Sequence, residues 1–206
     1  MAGDRPIVVK LGGSFALSDH LHHWIDALAE GAGRVVIVPG GGPFADAVRL
    51  AQIQMRFDDK AAHHMAVLAM EQYGRALASF NSTFSLAGSA DAIERDLSEK
   101  RVPVWMPSAM VLAATDIAQS WSVTSDSLAA WLAAKIGAGG LWIVKHAKLS
   151  PGSAKLKDLV AARIVDDEFA RFLQTMPLPV SILGPSDHNT TAVAMRDGTS
   201  VGIGIQ

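Results

Sequence analysis

Short β-branched runs recur along the chain between longer stretches rich in Ala and Leu: Ile7 to Leu11, Val35 to Val38, Val102 to Met106, Leu141 to Lys145, Val180 to Leu183 and Ser200 to Ile205. Their length and composition predict strands. Each run is apolar on consecutive rather than alternate residues, so both faces need covering, as when a largely parallel sheet lies between helix layers. The pattern predicts an α/β fold, a three-layer αβα sandwich around an open, largely parallel central sheet. No stretch reads as a linker, a repeat or a low-complexity tract, so residues 1–206 are expected to form a single domain.

Helices fill the intervals. Ser18 or Asp19 is placed to cap a helix running to about Glu30, and Pro43 stands where a helix starts after a Gly-rich turn, with Phe44, Ala47, Val48 and Ala51 on one face. A long helix follows Asp58 and carries Ala62, Met65, Ala66, Ala69, Met70 and Tyr73 at core spacing. Ser125 or Asp126 opens another through Lys135, which Ala138 to Gly140 closes. The last third reads as helix 167–175, strand 180–183, helix 187–195 and a final strand.

Composition narrows the function. Half of the 206 residues are apolar and 18% are charged, enough apolar surface to offset the ordering entropy of folding. Eighteen basic against twenty acidic residues leave a net charge of −2, with no electrostatic footprint for nucleic acid. The chain has no cysteine, which excludes disulfides and thiolate chemistry. Lys10 interrupts the first apolar run, so no signal-peptide core is present and a cytoplasmic location is expected. The most apolar region, Leu128 to Val144, contains Lys135 and three glycines and falls short of the roughly 20 residues that span a bilayer. No membrane partner is expected.

Three segments carry candidate chemistry. In Val8-Val9-Lys10-Leu11-Gly12-Gly13-Ser14 a buried strand delivers one lysine near its carboxyl end and then two glycines. Ligands of open α/β sheets collect beyond the carboxyl ends of strands, and bare backbone N–H groups there suit phosphate oxygens. A tight turn with a solvated lysine is the plainer reading. The second segment, Val38-Pro39-Gly40-Gly41-Gly42-Pro43-Phe44-Ala45-Asp46, sets three glycines before a helix N-terminus, a ready anion site. Neither G-x-x-x-x-G-K-[ST] nor G-x-G-x-x-G occurs, so the P-loop and dinucleotide fingerprints are missing, and with them the case for an NAD-dependent oxidoreductase. Two separate glycine turns suggest anions held from two sides, as phosphoryl transfer requires. The third segment runs Val123-Thr124-Ser125-Asp126-Ser127-Leu128. Its Ser125 or Asp126 is explained by helix capping alone, and Asp126 equally by a carboxylate that holds phosphate-binding lysines in place.

VVKLGGS paired with VIVPGGGPFADAVR and followed by SDSLAAWLA resembles the amino acid kinase superfamily over nearly the whole chain, and the stretch Ala62 to Gly74 with Thr124 to Ser127 resembles its aminomethylfuran phosphate kinases of methanofuran biosynthesis. The resemblance implies a kinase with the acceptor over the N-terminal half and ATP over the C-terminal half. Lys10 would neutralise the transferring phosphoryl group; Gly12, Gly13 and Ser14 would donate N–H bonds to it; Gly40, Gly41 and Gly42 would cradle the acceptor. Asp126 would orient the lysines, and Mg²⁺ would be held mainly through nucleotide phosphates, with no metal ligand from the protein. The acceptor would be a phosphorylated small molecule. Superfamily members associate through the N-terminal half, so a homo-oligomer, by default a dimer, is expected.

The chain also departs from the superfamily. Many relatives read Thr-Asp-x-Asp-Gly after the nucleotide-side strand, where this chain has Lys145-His146-Ala147-Lys148-Leu149, and nothing in Ser150 to Val160 matches their Gly-Met-x-x-Lys turn. Lys145 or Lys148 would then replace the second lysine, or both lie in a solvated basic turn. The lost acids favour a second reading, a non-catalytic nucleotide sensor or oxyanion store. For the acceptor the candidates are Arg49, seven residues beyond Gly42 on the same helix, Arg56 and His63. His63 and His64 are adjacent on a helix and point apart, with no histidine four residues on, so they do not predict a metal site. His20, close after the first glycine turn, is near enough in sequence to approach the acceptor; His22 and His23 read as surface.

Overall fold

A computed structural model describes residues 5–146, 155–174, 178–197, 199 and 201–205. Its sheet runs, from one edge to the other, β3 (Phe84–Ala87), β4 (Val102–Trp105), β2 (Val35–Pro39), β1 (Ile7–Leu11), β5 (Gly140–Val144), β6 (Val180–Leu183) and β7 (Ile203–Gly204). All pairings are parallel except β6 with β7. The predicted sandwich is therefore what the chain forms. β2, β4, β5 and β6 are buried along their whole length, which is why, Ser181 of β6 apart, they carry no polar side chain.

On one face, Trp24, Ile25 and Leu28 of α1 (Leu21–Ala29) and Ala194 and Met195 of α9 (His188–Asp197) pack on Val9, Leu11, Ile37 and Val144. On the other, α6 (Ser125–Lys135) and α8 (Phe169–Gln174) pack on Val8, Val36, Val38 and Ile143. The long α3 (Asp59–Ser79) feeds Val67 and Met70 into the second cluster and Tyr73 and Leu77 into the first. Among the described residues no helix is long and apolar enough to cross a membrane.

Several expectations shift. α1 is capped at His20, not at Ser18 or Asp19; the Ser18 hydroxyl accepts from the His20 N–H at 3.2 Å instead. α6 is capped at Thr124, so Ser125 and Asp126 fall inside its first turn. On α2 (Gly42–Met55) the buried residues are Ala45 and Val48, whereas Phe44 and Ala47 face outward, because α2 packs on α3 and on the Gly13–Leu17 turn and not on the sheet. Met65 is likewise exposed. β3 and α4 (Ala90–Ser98) were not predicted. β3 is an edge strand with no β-branched residue and an exposed Leu86, so it lacks the signal its buried neighbours carry. The last strand is shorter than expected, and Ser200 lies outside the described residues.

The feature that positions everything else is the pairing of β1 with β2, Leu11 opposite Pro39, which sets their two glycine turns side by side. A Cβ on Gly13 would sit 2.6 Å from the Gly42 Cα, and one on Gly40 would sit 2.9 Å from the Gly13 Cα. Both neighbours are backbone, so neither can swing aside. Gly42 itself has φ +54°. We expect Gly13→Ala to destabilise the fold by about 1–3 kcal/mol through overpacking. Thermal unfolding reads this as a loss of roughly 2–4 °C per kcal/mol for a chain of this size. Gly88→Ala, where the new Cβ would meet only the Met106 carbonyl at 3.9 Å, should leave the midpoint nearly unchanged.

Candidate active site

Side chains alternate along a strand, so Lys10 shares the face of Val8 and looks toward α6, while Val9 and Leu11 look toward α1 and α9. Lys145 follows β5 directly, its N–H bonded to the Leu183 carbonyl at 2.9 Å, and has the parity of Leu141 and Ile143 on that same face. Between the two lysines stands Asp126, in the first turn of α6 and 3% exposed. Its Oδ1 lies 2.9 Å from Lys10 Nζ as an ion pair, and its Oδ2 accepts a 2.6 Å hydrogen bond from Lys145 Nζ.

Burial pulls the Lys10 ammonium down from its ordinary value to about 8; Asp126 opposes this and Lys145 adds to it. For Asp126, burial pushes the carboxyl up, but Lys10 and Lys145 outweigh it and hold the group below the usual carboxylate range. The centre thus holds one permanent anion between two cations. A remote carboxylate fixes its geometry. Asp166 Oδ2 accepts from the Thr124 N–H at 2.9 Å, the Thr124 hydroxyl at 2.7 Å and the Ser127 N–H at 3.0 Å, and Oδ1 accepts from the Ser127 hydroxyl.

Beside this centre a cavity of about 260 Å³ opens between the two glycine turns, α2, α3 and the start of α6. Its lining includes Gly13, Ser14, Gly41 and Gly42, where α2 begins without a side-chain cap. It also includes apolar Val67, Met70 and Leu128 and the Trp121 ring. Trp121 donates its indole N–H to Gln52 Oε1 at 2.7 Å, and the Arg49 guanidinium lies 4.4 Å above its ring. Arg49 also pairs with Asp46 at 2.9 Å. His63 lines the cavity at 3% exposure; burial, then His64, lowers its pKa, a hydrogen bond with the Ser120 backbone opposes them, and its Nε2 has no partner among the described residues.

The structure therefore brings Lys10, Asp126 and Lys145 into one cluster and sets Gly13, Ser14, Gly41, Gly42, Arg49 and His63 around the adjoining cavity. Others stand apart. The Gly12 N–H is taken by the Val144 carbonyl at 3.1 Å and the Gly40 N–H by the Leu11 carbonyl at 2.9 Å, so these two glycines shape the turns without offering N–H groups. Arg56 is exposed, ends α2 in a left-handed conformation and does not line the cavity. His20 packs among other histidines instead, its ring edge-on to His146 at 6.1 Å and tilted against His188 at 6.0 Å. Lys148 lies outside the described residues. Among the described residues no three His, Asp or Glu side chains are grouped to hold a metal ion. Trp121 and Asp166 went unpredicted; both sit in irregular segments where no periodicity marks them.

Comparison with known proteins gives the family and the fold. Over 128 residues, 61% of this chain, the sequence is 30% identical to the (5-(aminomethyl)furan-3-yl)methyl phosphate kinase of Methanocaldococcus jannaschii, and the match spans 58% of that relative's length. The fold is similar to uridylate kinase from Archaeoglobus fulgidus, with a TM-score of 0.71 at 17% identity over 98% of this chain and 100% of that one. It is also similar to UMP kinase from Ureaplasma parvum, with a TM-score of 0.71 at 14% identity over 99% and 100% of the two chains. Residues 5–148 match the amino acid kinase family, and the chain belongs to it.

Proposed function

We propose that this protein is an ATP-dependent phosphotransferase whose acceptor is a small phosphate monoester, an aminomethylfuranmethyl phosphate, and whose product is the corresponding diphosphate. The observation that carries the reading is the Lys10–Asp126–Lys145 cluster beside a cavity that is lined by both glycine turns and by apolar side chains. The cavity lies below the roughly 300 Å³ at which drug-sized pockets begin, which favours a compact acceptor. The neutral His63 ring and Trp121 suit a small ring better than a charged one. The relative named for such an acceptor supports the choice.

In this reading the acceptor phosphate binds at Gly41, Gly42 and the start of α2, with Arg49 at the rim. The donor lies over the C-terminal half of the sheet, its terminal phosphate between Gly13 and the two ammonium groups. ATP supplies the phosphoryl group, with Mg²⁺ on its phosphates. Both Asp126 oxygens already face ammonium groups, so this residue orients lysines and is not free to ligate the metal. An acceptor phosphate oxygen forms the new P–O bond as the bond to ADP breaks. That oxygen is already anionic, so no protein base is needed. Lys10 and Lys145 offset the charge spread over the phosphoryl oxygens, a task that depends on position and charge. We place the reaction in the cytoplasm. Exposed Leu50 and Ile53, three residues apart on α2, give apolar surface that supports a homodimer.

ADP release with the furan phosphate and with UMP tests the assignment. Turnover of the furan phosphate, with UMP inert, is expected. Lys10→Ala and Asp126→Asn should each lower kcat by about 10²–10³-fold. ATP binding without turnover of either acceptor would instead favour the non-catalytic sensor. The pH profile gives a second check. Lys10 acts as an ammonium, so activity should fall as pH rises through about 8 rather than near the ordinary lysine value. In Lys10→Arg, whatever its absolute rate, the alkaline limb should move up. Light scattering should find a dimer that Ile53→Glu converts to monomer.

A further inference from the structure

We infer that Asp166 is a positioning residue for this centre: by capping the start of α6 from the segment that precedes α8, it holds Asp126 between the two lysines. The first N–H groups of a helix are ordinarily met by the side chain of its own N-cap residue. Thr124 is of a suitable type, yet its hydroxyl makes no such bond; it donates to Asp166, and Asp166 accepts the Ser127 N–H in its place. The bonds run from position 166 to positions 124 and 127, and Glu168 N–H adds a bond to the Ser122 carbonyl at 3.3 Å. Asp126 lies between the two anchored residues, and Thr124 and Ser125 form part of the cavity wall. One carboxylate therefore sets the hub of the lysine pair and one wall of the cavity.

The arrangement has an electrostatic cost that a purely local cap would avoid. Burial and then the Asp126 charge raise the Asp166 pKa, and the bonds from Ser127 and Thr124 oppose them. A threonine cap would carry no charge beside Asp126. What the distant carboxylate adds is a rigid link between the segment preceding α8 and the turn bearing Asp126.

The inference concerns the centre assigned above to phosphoryl transfer, but its primary test needs no substrate. In protein labelled with ¹³C-lysine, the Lys10 ¹³Cε resonance, assigned by Lys10→Arg, is titrated in wild type, Asp166→Ala and Asp166→Asn. Freed of its anchors in Asp166→Ala, Asp126 no longer holds the Lys10 charge, and the Lys10 midpoint should fall by about one pH unit. In Asp166→Asn the amide oxygen can accept the three bonds made to Oδ2 and the amide N–H can donate to the Ser127 oxygen, so the midpoint should return toward wild type. In the ADP assay, kcat should fall about 10²-fold in the alanine variant, with KM for ATP little changed, and recover in the asparagine variant. Thermal unfolding checks that each variant is folded at the temperature of measurement. If Asp166→Ala is not, Ser127→Ala, which removes one of the bonds, is titrated in its place with the same expected direction. A Lys10 midpoint that does not move in the truncating variant, or that asparagine fails to restore, would overturn the inference. An absence of kinase turnover in wild type would overturn only the phosphotransferase reading.

Discussion

Two lysines share one aspartate in a place where water hardly reaches, and the rest of the site follows from that imbalance. A buried charge is tolerated when it is paired, and here the pairing is one carboxylate short. The surplus positive charge makes the centre receptive to an anion. The drop of Lys10 to about 8 expresses the same strain from the side of the proton: holding this ammonium charged is harder than in water, and an arriving anion would relieve it. Placing the surplus on β1, the middle strand of the sheet, gives it a rigid mount with β2 on one side and β5 on the other.

The glycine turns belong to the same constraint. An anion between the two halves of the site needs donors that carry no side chain, because the backbones of the two turns touch at Gly13 and Gly42. Any Cβ at that contact would separate the turns and widen the gap that the lysines must bridge. Close approach, rather than flexibility, is what the glycines provide. The start of α2 then lines the cavity, and in the proposed reaction the ammonium pair would meet the phosphoryl group from the other side.

How much of this the sequence discloses depends on how local each cause is. The strand ending in Lys10 and two glycines, the second glycine turn before Pro43, and the Asp126 region are contiguous patterns, and their chemistry can be read from the residues themselves. The place of Lys145 stays open in sequence because it depends on where β5 ends and on its parity: in step with Leu141 and Ile143, Lys145 looks toward α6. Arg49 and Arg56 are equally basic and lie on or just beyond one helix, yet a left-handed residue ends that helix at Arg56 and leaves it outside. Trp121 and Asp166 were not legible at all. Each works through partners far away in the chain, Gln52 and Arg49 for the first, Thr124 and Ser127 for the second, and neither lies in a periodic element.

The lysine after β5 makes sense in the same terms. Lys145 stands at the strand end itself, and a residue fixed beside the sheet needs less ordering than one delivered from a longer turn. The consequence falls on Asp126. It serves two ammonium groups, one from β1 and one from the residue just after β5, so its own placement decides whether it meets both. All the precision must then come from the helix that carries the carboxylate. A helix end frays unless its first N–H groups are satisfied, and the group that satisfies them here is the charged, distant Asp166 rather than the neighbouring hydroxyl. A lysine set at the strand end and a cap drawn from the segment before α8 are two parts of one solution, in which rigidity at the strands is matched by rigidity at the helix between them.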